Sequence, residues 1–294
     1  MTQTFKPRLS HVAEHMETVL ARVLPEPSGP QSVVMDAARY AALGGGKRLR
    51  PFLMIETARM LGFESEAVWE VAAALECLHV YSLVHDDLPC MDDDDLRRGK
   101  PTVHKAYDEA MAVLAGDALL TRAFEIIAET DLPADIKVSL IAKLGRDGGM
   151  FGMIGGQVVD MTVAENARDE ALITDLQGMK TGALIRYAVQ AGAIMAGASE
   201  AQMKNLTDYA NAIGLAFQIK DDILDVEGDA ELVGKAVRKD EDQGKATFVS
   251  ILGLDAAKIR AQDMGQYAKD KLVDFGEQAV ILQDTVDFVL NRQL

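Results

Sequence analysis

The stretch VAAALECLHVYSLVHDDLPCMD, residues 71–92, decides how the rest of the chain is read. Its first half is apolar at three- and four-residue spacing, in a pattern that begins at Val68 and runs through Val71, Ala72, Leu75 and Leu78 to Leu83. That is the period of a helix and not of a strand. Its second half sets Asp86 and Asp87 at the end of this helix and follows them with Pro89, which lacks an amide hydrogen and biases Leu88 away from helical geometry. The helix is therefore predicted to end near Asp87. Asp92, which would lie about 120° from Asp86 on a continuous helix, can then fold back toward it. Adjacent carboxylates repel and are costly to bury unpaired, so the cluster is either solvated or neutralised by cations. Taken alone, a solvated acidic helix end is as good a reading as a metal site.

The helical period continues in both directions. Helices are expected at 8–23, 30–43, 47–62, 65–87, 105–129, 134–163, 169–197, 200–225, 240–253, 256–272 and 275–291. All eight prolines lie at or before Pro133, which leaves the rest of the chain free to run as long helices. Strand signals are weak throughout. The fold class is thus all-α, a helical bundle, and the absence of repeats or a linker beyond the Pro25–Pro30 bend favours a single domain over 1–294. With 294 residues, 49% of them hydrophobic, the chain can bury a large core. A net charge of −16 argues against nucleic acid or an anionic membrane as a bulk partner. No apolar leader is seen at the first residues, and the apolar stretch 183–198 is short and carries Arg186, so no stable membrane insertion is expected. Cys77 and Cys90 lack metal or redox spacing; Cys77 reads as a buried free thiol in a reducing, cytoplasmic setting.

A second acidic cluster changes the weight of the first. Asp221 and Asp225 are four residues apart, about 40° around a helix, with Asp222 about 60° from Asp225. Hard carboxylate oxygens suit Mg²⁺, which commonly bridges one or two carboxylates to substrate phosphates. Two acidic arms with scattered Lys and Arg therefore read as a diphosphate site. Gly44-Gly45-Gly46 precedes Lys47, Arg48 and Arg50 in what resembles an anion cradle, although a glycine helix stop with solvated cations is an equal reading. His79 lies two turns before Asp86. Lys180 and Thr181 interrupt an apolar helix, and Gln157 and Asp160 share a face after a glycine-rich run best read as packing glycines. Gln218 stands one turn before Asp222.

In this order the motifs resemble those of the trans-isoprenyl diphosphate synthases, or polyprenyl synthetases: GGGKRLRP at 44–51, ECLHVYSLVHDDLPCMDDDDLRRGKPTVH at 76–104, GGQ at 155–157, KTGALI at 180–185, FQIKDDILD at 217–225 and GKAVRKDEDQGKATFVSILG at 234–253. Two residues inserted in the first aspartate motif, and Tyr81-Ser82 before it, make the chain most similar to bacterial enzymes of the farnesyl diphosphate type. The resemblance implies an all-helical fold around a deep central cavity, a homodimer, prenyl diphosphate substrates and three Mg²⁺ per site, with Mn²⁺ as a substitute. It implies Asp86, Asp92 and Asp221 as metal ligands, supported by Asp87, Asp222 and Asp225. Arg97, Lys180, Thr181, Gln218, Lys235 and Lys245 match positions around the allylic diphosphate. Lys47, Arg50, His79 and Arg98 match the isopentenyl diphosphate pocket, Gln157 and Asp160 a supporting pair, and Tyr81 and Ser82 the determinants of chain length. Arg238 stands where a small residue is expected. The alternatives are a geranylgeranyl diphosphate synthase of the same family, a class I terpene synthase, which needs no isopentenyl pocket, and a non-catalytic prenyl-diphosphate-binding subunit, in which one aspartate motif would be lost.

Overall fold

The computed structural model describes residues 1–163, 169–227 and 247–292. They divide between two compact units, Lys6–Ala142 and a second made of Met1–Phe5 with Lys143–Leu294. The architecture is helical in both, as the apolar period implies.

The first unit contains most of α1 (Phe5–Val23), then α2 (Ser32–Ala42), α3 (Leu49–Met60) and α4 (Glu66–Asp86). A two-stranded hairpin follows, β1 (Leu96–Arg97) and β2 (Lys100–Pro101), then α5 (Val103–Ala106), α6 (Glu109–Glu129) and the start of α7 (Ala134–Gly148). Ser65 caps α4 by accepting from the Ala67 amide at 3.2 Å, and Asp108 caps α6 through Met111 at 2.7 Å. The second cap is why the expected helix over 105–129 is divided at Tyr107–Asp108. Every residue from Val71 to Leu78 is buried, so α4 is apolar on all sides, and it packs on α3 and α6. It is also long and apolar enough to cross a bilayer, but 72% of its most apolar window is buried inside the protein, as in a core helix. The Cys77 thiol lies fully inside this helix, and burial pushes it up to about 12.

The hairpin agrees with strand signals that are weak in the sequence and not absent. Arg97 pairs with Lys100 across a two-residue loop in which Arg98 and Gly99 both have positive φ, 52° and 76°. Positive φ at both central residues makes a turn that matches the twist of the flanking strands. A hairpin this short shows no alternation to read.

The second unit contains the end of α7, then α8 (Met153–Val163), α9 (Glu170–Lys180), α10 (Gly182–Met195) and α11 (Glu200–Glu227). After α11 come α12 (Phe248–Leu252), α13 (Leu254–Asp270), a 3₁₀ turn at Val273–Ala279 and α14 (Val280–Asn291). Three expected helices are changed, and the one over 275–291 becomes α-helical only at Val280, after a 3₁₀ turn kinked at Gly276. The one over 134–163 stops at Gly148 and restarts at Met153, because a Cβ at Gly152 would lie 1.9 Å from the Asp147 carbonyl oxygen and only glycine lets the chain turn there. The one over 169–197 breaks at Thr181, whose φ of −104° and ψ of −45° end α9 and open α10.

Candidate active site

In the first unit, α4 ends where Pro89 dictates, at Asp86, with Asp87 as its cap. The loop then doubles back: the Asp92 amide donates to the Asp86 backbone carbonyl at 2.8 Å. The backbones of the two predicted metal ligands of this motif are thus joined, one at a helix end and the other in the following loop. Asp87 has a different place. Its carboxylate is buried and gripped by Arg97, with Nε 2.7 and 2.9 Å from its two oxygens and Nη2 2.5 Å from Oδ1. Burial raises the Asp87 pKa, and the Arg97 guanidinium opposes that rise. The hairpin thus ties Arg97 to the end of α4.

A cationic cluster lies further up α4. Arg50 Nη1 donates to His79 Nε2 at 3.2 Å, which requires a neutral imidazole acceptor. Burial, then the positive charges of Arg50, Arg98, Arg97 and Arg48, hold the His79 pKa well below its usual value. Arg98 donates to the Gly45 carbonyl, and a Cβ at Gly46 would lie 2.8 Å from the Arg98 guanidinium carbon. Gly46, at φ 131°, is thus required by its backbone and by the guanidinium against it. Lys47 is exposed in the same loop. Arg48 corrects the reading of three outward cations: its guanidinium is buried, 2.5 Å from Glu76, 2.6 Å from Glu17 and 2.6 Å from the Ala42 carbonyl. Arg48 is a structural ion.

Tyr81 is 5% exposed and lies edge to face with His85. Burial, then the nearby Asp86 charge, pushes its hydroxyl up to about 12. Ser82 bonds the His79 carbonyl at 2.8 Å.

In the second unit, packing glycines and predicted site residues coincide. A Cβ at Gly156 would lie 2.3 Å from the Lys180 amide nitrogen, so only glycine lets α9 approach α8 this closely. The approach puts Lys180 Nζ 2.5 Å from Asp160 Oδ2. Gln157 lies on the same helix, half-buried. Thr181 Oγ1 donates to Gln218 Oε1 at 3.3 Å, Gln218 Nε2 donates to Asp222 Oδ1 at 3.0 Å, and Asp222 Oδ2 accepts from the Phe248 amide at 2.8 Å. Asp222 is 3% exposed, so its role here is to bind the segment after the second motif to α11. Asp225 is half-buried one turn on. Lys235, Lys245 and Arg238 lie outside the described residues.

One contact has no signal in the sequence. Arg292 reaches Asp221 at 2.8 Å, donates to the Phe217 carbonyl at 2.7 Å and stacks 3.8 Å over the Phe217 ring. Seventy-one positions separate Arg292 from Asp221, and no spacing rule links them. A trio the sequence did not single out, Asp93, Asp95 and His104, brings one donor atom each within 4.8 Å of one another, although Lys105 already pairs Asp95 at 2.8 Å.

Separate motifs that fold into an acidic helix end, a cation pocket and a tethered second acidic helix agree with the likeness to known proteins. The chain is 41% identical to farnesyl diphosphate synthase of Escherichia coli K12 over 295 residues, covering 98% of this chain and 99% of that one. It is 42% identical to geranylgeranyl diphosphate synthase of Cyanophora paradoxa over 270 residues, 90% of each. Its fold matches the crystal structure of an FPP/GFPP synthase from Zymomonas mobilis with a TM-score of 0.90 and 44% identity, over 98% of this chain and 100% of that one. Polyprenyl synthetase sequences as a family match residues 31–279, and the chain belongs to the polyprenyl synthetase family.

Proposed function

We propose that this protein is a farnesyl diphosphate synthase, a prenyltransferase that condenses isopentenyl diphosphate head-to-tail with dimethylallyl and then geranyl diphosphate and releases pyrophosphate. The observation that carries the reading is the contact of Arg50 with His79, on the helix that ends in Asp86. A cyclising terpene synthase has no second diphosphate to hold there. Several farnesyl diphosphate synthases among the relatives support the fifteen-carbon product.

The donor set suits a hard divalent ion. Asp86, Asp92 and Asp221 offer carboxylate oxygens, and three Mg²⁺ are expected on them, with Mn²⁺ as a substitute. When bound, the metal neutralises the allylic diphosphate and makes it a better leaving group. Arg97, Lys180, Lys235 and Lys245 add positive charge around that diphosphate, with Asp87 and Asp160 holding the first two in place. Lys47, Arg50, His79 and Arg98 orient isopentenyl diphosphate. The allylic C1–O bond breaks with its electron pair leaving on pyrophosphate. The π electrons of isopentenyl diphosphate then form the new C–C bond, and the resulting cation loses a proton to the departing pyrophosphate. In this reading the oxygens of Thr181 and Gln218 stabilise the allylic cation, and Asp222 and Asp225 support the second arm. Exclusion of water keeps that cation from capture as an alcohol.

In this reading the chain acts as one polyprenyl synthetase domain, with Gln157 supporting the second unit's share of the site. Tyr81 is the floor that stops growth at fifteen carbons, and Ser82 beside it leaves room for the tail. A second copy of the chain is the expected partner, supported by α8, which exposes Ile154, Val158 and Met161 at 42%, 54% and 56% along one face. The buried free thiol of Cys77 agrees with a cytoplasmic setting. Incubation with labelled isopentenyl diphosphate and each allylic primer tests the proposal: farnesyl diphosphate as main product is expected, whereas cyclic products, geranylgeranyl diphosphate or no turnover would each reject it.

A further inference from the structure

The interior of α6 holds a glycine for which the helix itself has no use. Gly116 is buried, and glycine is among the poorest helix formers. Its reason lies across the interface with α4. A Cβ at Gly116 would stand 2.1 Å from His85 Nε2, 2.4 Å from Cδ2 and 2.9 Å from Cε1, and these are the three heavy atoms nearest to it. The His85 imidazole therefore sits in the notch that the missing side chain leaves. Three neighbours surround it there, one of them Asp117, whose Oδ1 lies 3.9 Å from Nε2. Nε2 lies 3.0 Å from the Val113 carbonyl, which can only accept, so this nitrogen carries a hydrogen. The ring also meets Tyr81, with centroids 5.7 Å apart and planes at 84°. His85 directly precedes Asp86, so the last turn of α4 is keyed into α6 at the residue before the acidic motif.

Tyr81 has no comparable anchor at its other end. Its hydroxyl is buried and has no hydrogen-bond partner among the described residues. The direction of its ring thus depends on packing and on the edge-to-face contact with His85. We propose that His85, seated in the Gly116 notch, is a positioning residue that fixes the Tyr81 ring, and that Gly116 is thereby a specificity-determining position for product length. The inference rests on the reading of Tyr81 as the cavity floor. Alanine at 116 displaces the imidazole, the movable end of its side chain, breaks the bond to Val113 and removes the ring that bears on Tyr81. The floor then yields without any change to Tyr81 or to the aspartates.

The test compares Gly116→Ala, His85→Ala, their double variant and Tyr81→Ala by product length and by the ¹³C ring resonance of Tyr81. Gly116→Ala should raise the share of twenty-carbon product at least fivefold and move the Tyr81 resonance. His85→Ala should do the same, and the double variant should go no further than His85→Ala alone, since the glycine acts only through the imidazole. A His85 that served stability alone would lower the melting temperature without this non-additive change in product. If His85→Ala does not fold, His85→Gln, whose amide can still donate to Val113, takes its place and should lengthen product less than Gly116→Ala. Product of unchanged length from folded, active Gly116→Ala, with Tyr81→Ala lengthening it, would overturn the inference and leave the floor standing. Unchanged length in Tyr81→Ala would instead reject the floor. The positioning role is then judged on the Tyr81 resonance, which must move in both Gly116→Ala and His85→Ala or the role is rejected.

Discussion

The two acidic motifs look alike in sequence and are built in opposite ways. The first is organised by backbone: Pro89 stops α4, and the chain folds back until the Asp92 amide meets the Asp86 carbonyl. The second lies on an unbroken stretch of α11 and is organised through its side chains: Asp221 meets Arg292, and Asp222 meets Gln218 one turn back and the Phe248 amide. In each, one aspartate of the pair is buried with structural partners, Asp87 by Arg97 and Asp222 by the Phe248 amide. Burying one carboxylate of an adjacent pair with its own partners relieves the repulsion that two parallel carboxylates would suffer.

The comparison breaks first at the metal ligands. Asp86→Ala and Asp221→Ala should each lower kcat by several orders of magnitude with helicity retained by circular dichroism, and EDTA should abolish turnover of the parent enzyme. Full activity in EDTA would remove the metal from both arms at once.

The structural aspartates should behave differently from the ligands and from one another. Arg97→Ala leaves Asp87 buried without its partner and should cost about 3–5 kcal/mol of stability, read by urea denaturation. Asp222→Ala removes a carboxylate that accepts two hydrogen bonds and should cost about 1–3 kcal/mol, since the Phe248 amide and Gln218 are left to find others. Equal and negligible costs would mean that neither aspartate is structural.

The cation pocket makes a prediction in pH. The folded His79 pKa is depressed, so below the ordinary histidine range near pH 6.5 the unfolded chain takes up a proton that the folded chain refuses. Stability is therefore full above about pH 6.5 and falls as pH drops toward the folded pKa, by at most about 1.4 kcal/mol per pH unit for one group. His79→Gln should flatten the denaturation midpoint between about pH 5 and 7 relative to the parent. A slope unchanged in the variant would assign the effect to another group.

The smallest effect is expected at Arg292. Asp221 is 45% exposed, so the pair is screened on one side, and Arg292→Gln should cost roughly 1 kcal/mol of stability or less. If it lowered stability as much as Arg97→Ala, the second arm would be as firmly buried as the first.

Much of the local geometry around the candidate residues was legible because near-neighbour rules govern it. The end of α4 follows from Pro89, the face shared by Gln218 and Asp222 from helical spacing, and the packing role of the glycines before Gln157 from their density. What was missed has long-range or conformational causes. Arg48 looked like its neighbours Lys47 and Arg50, but a left-handed backbone at φ 46° turns it inward onto Glu17 and Glu76. The break at Gly152 depended on an approach to the Asp147 carbonyl that no periodicity reports.

Helical architecture, the end of α4 and the gathering of carboxylates at two places can all be read from the residues alone, because hydrophobic period, proline and like-charge repulsion act between near neighbours. Which aspartate of each pair is tied down, which arginine is buried, and why α6 carries glycine at position 116 emerge only from the folded packing. Those outcomes depend on which distant atoms arrive within hydrogen-bonding or van der Waals distance, and that is set by how whole helices pack.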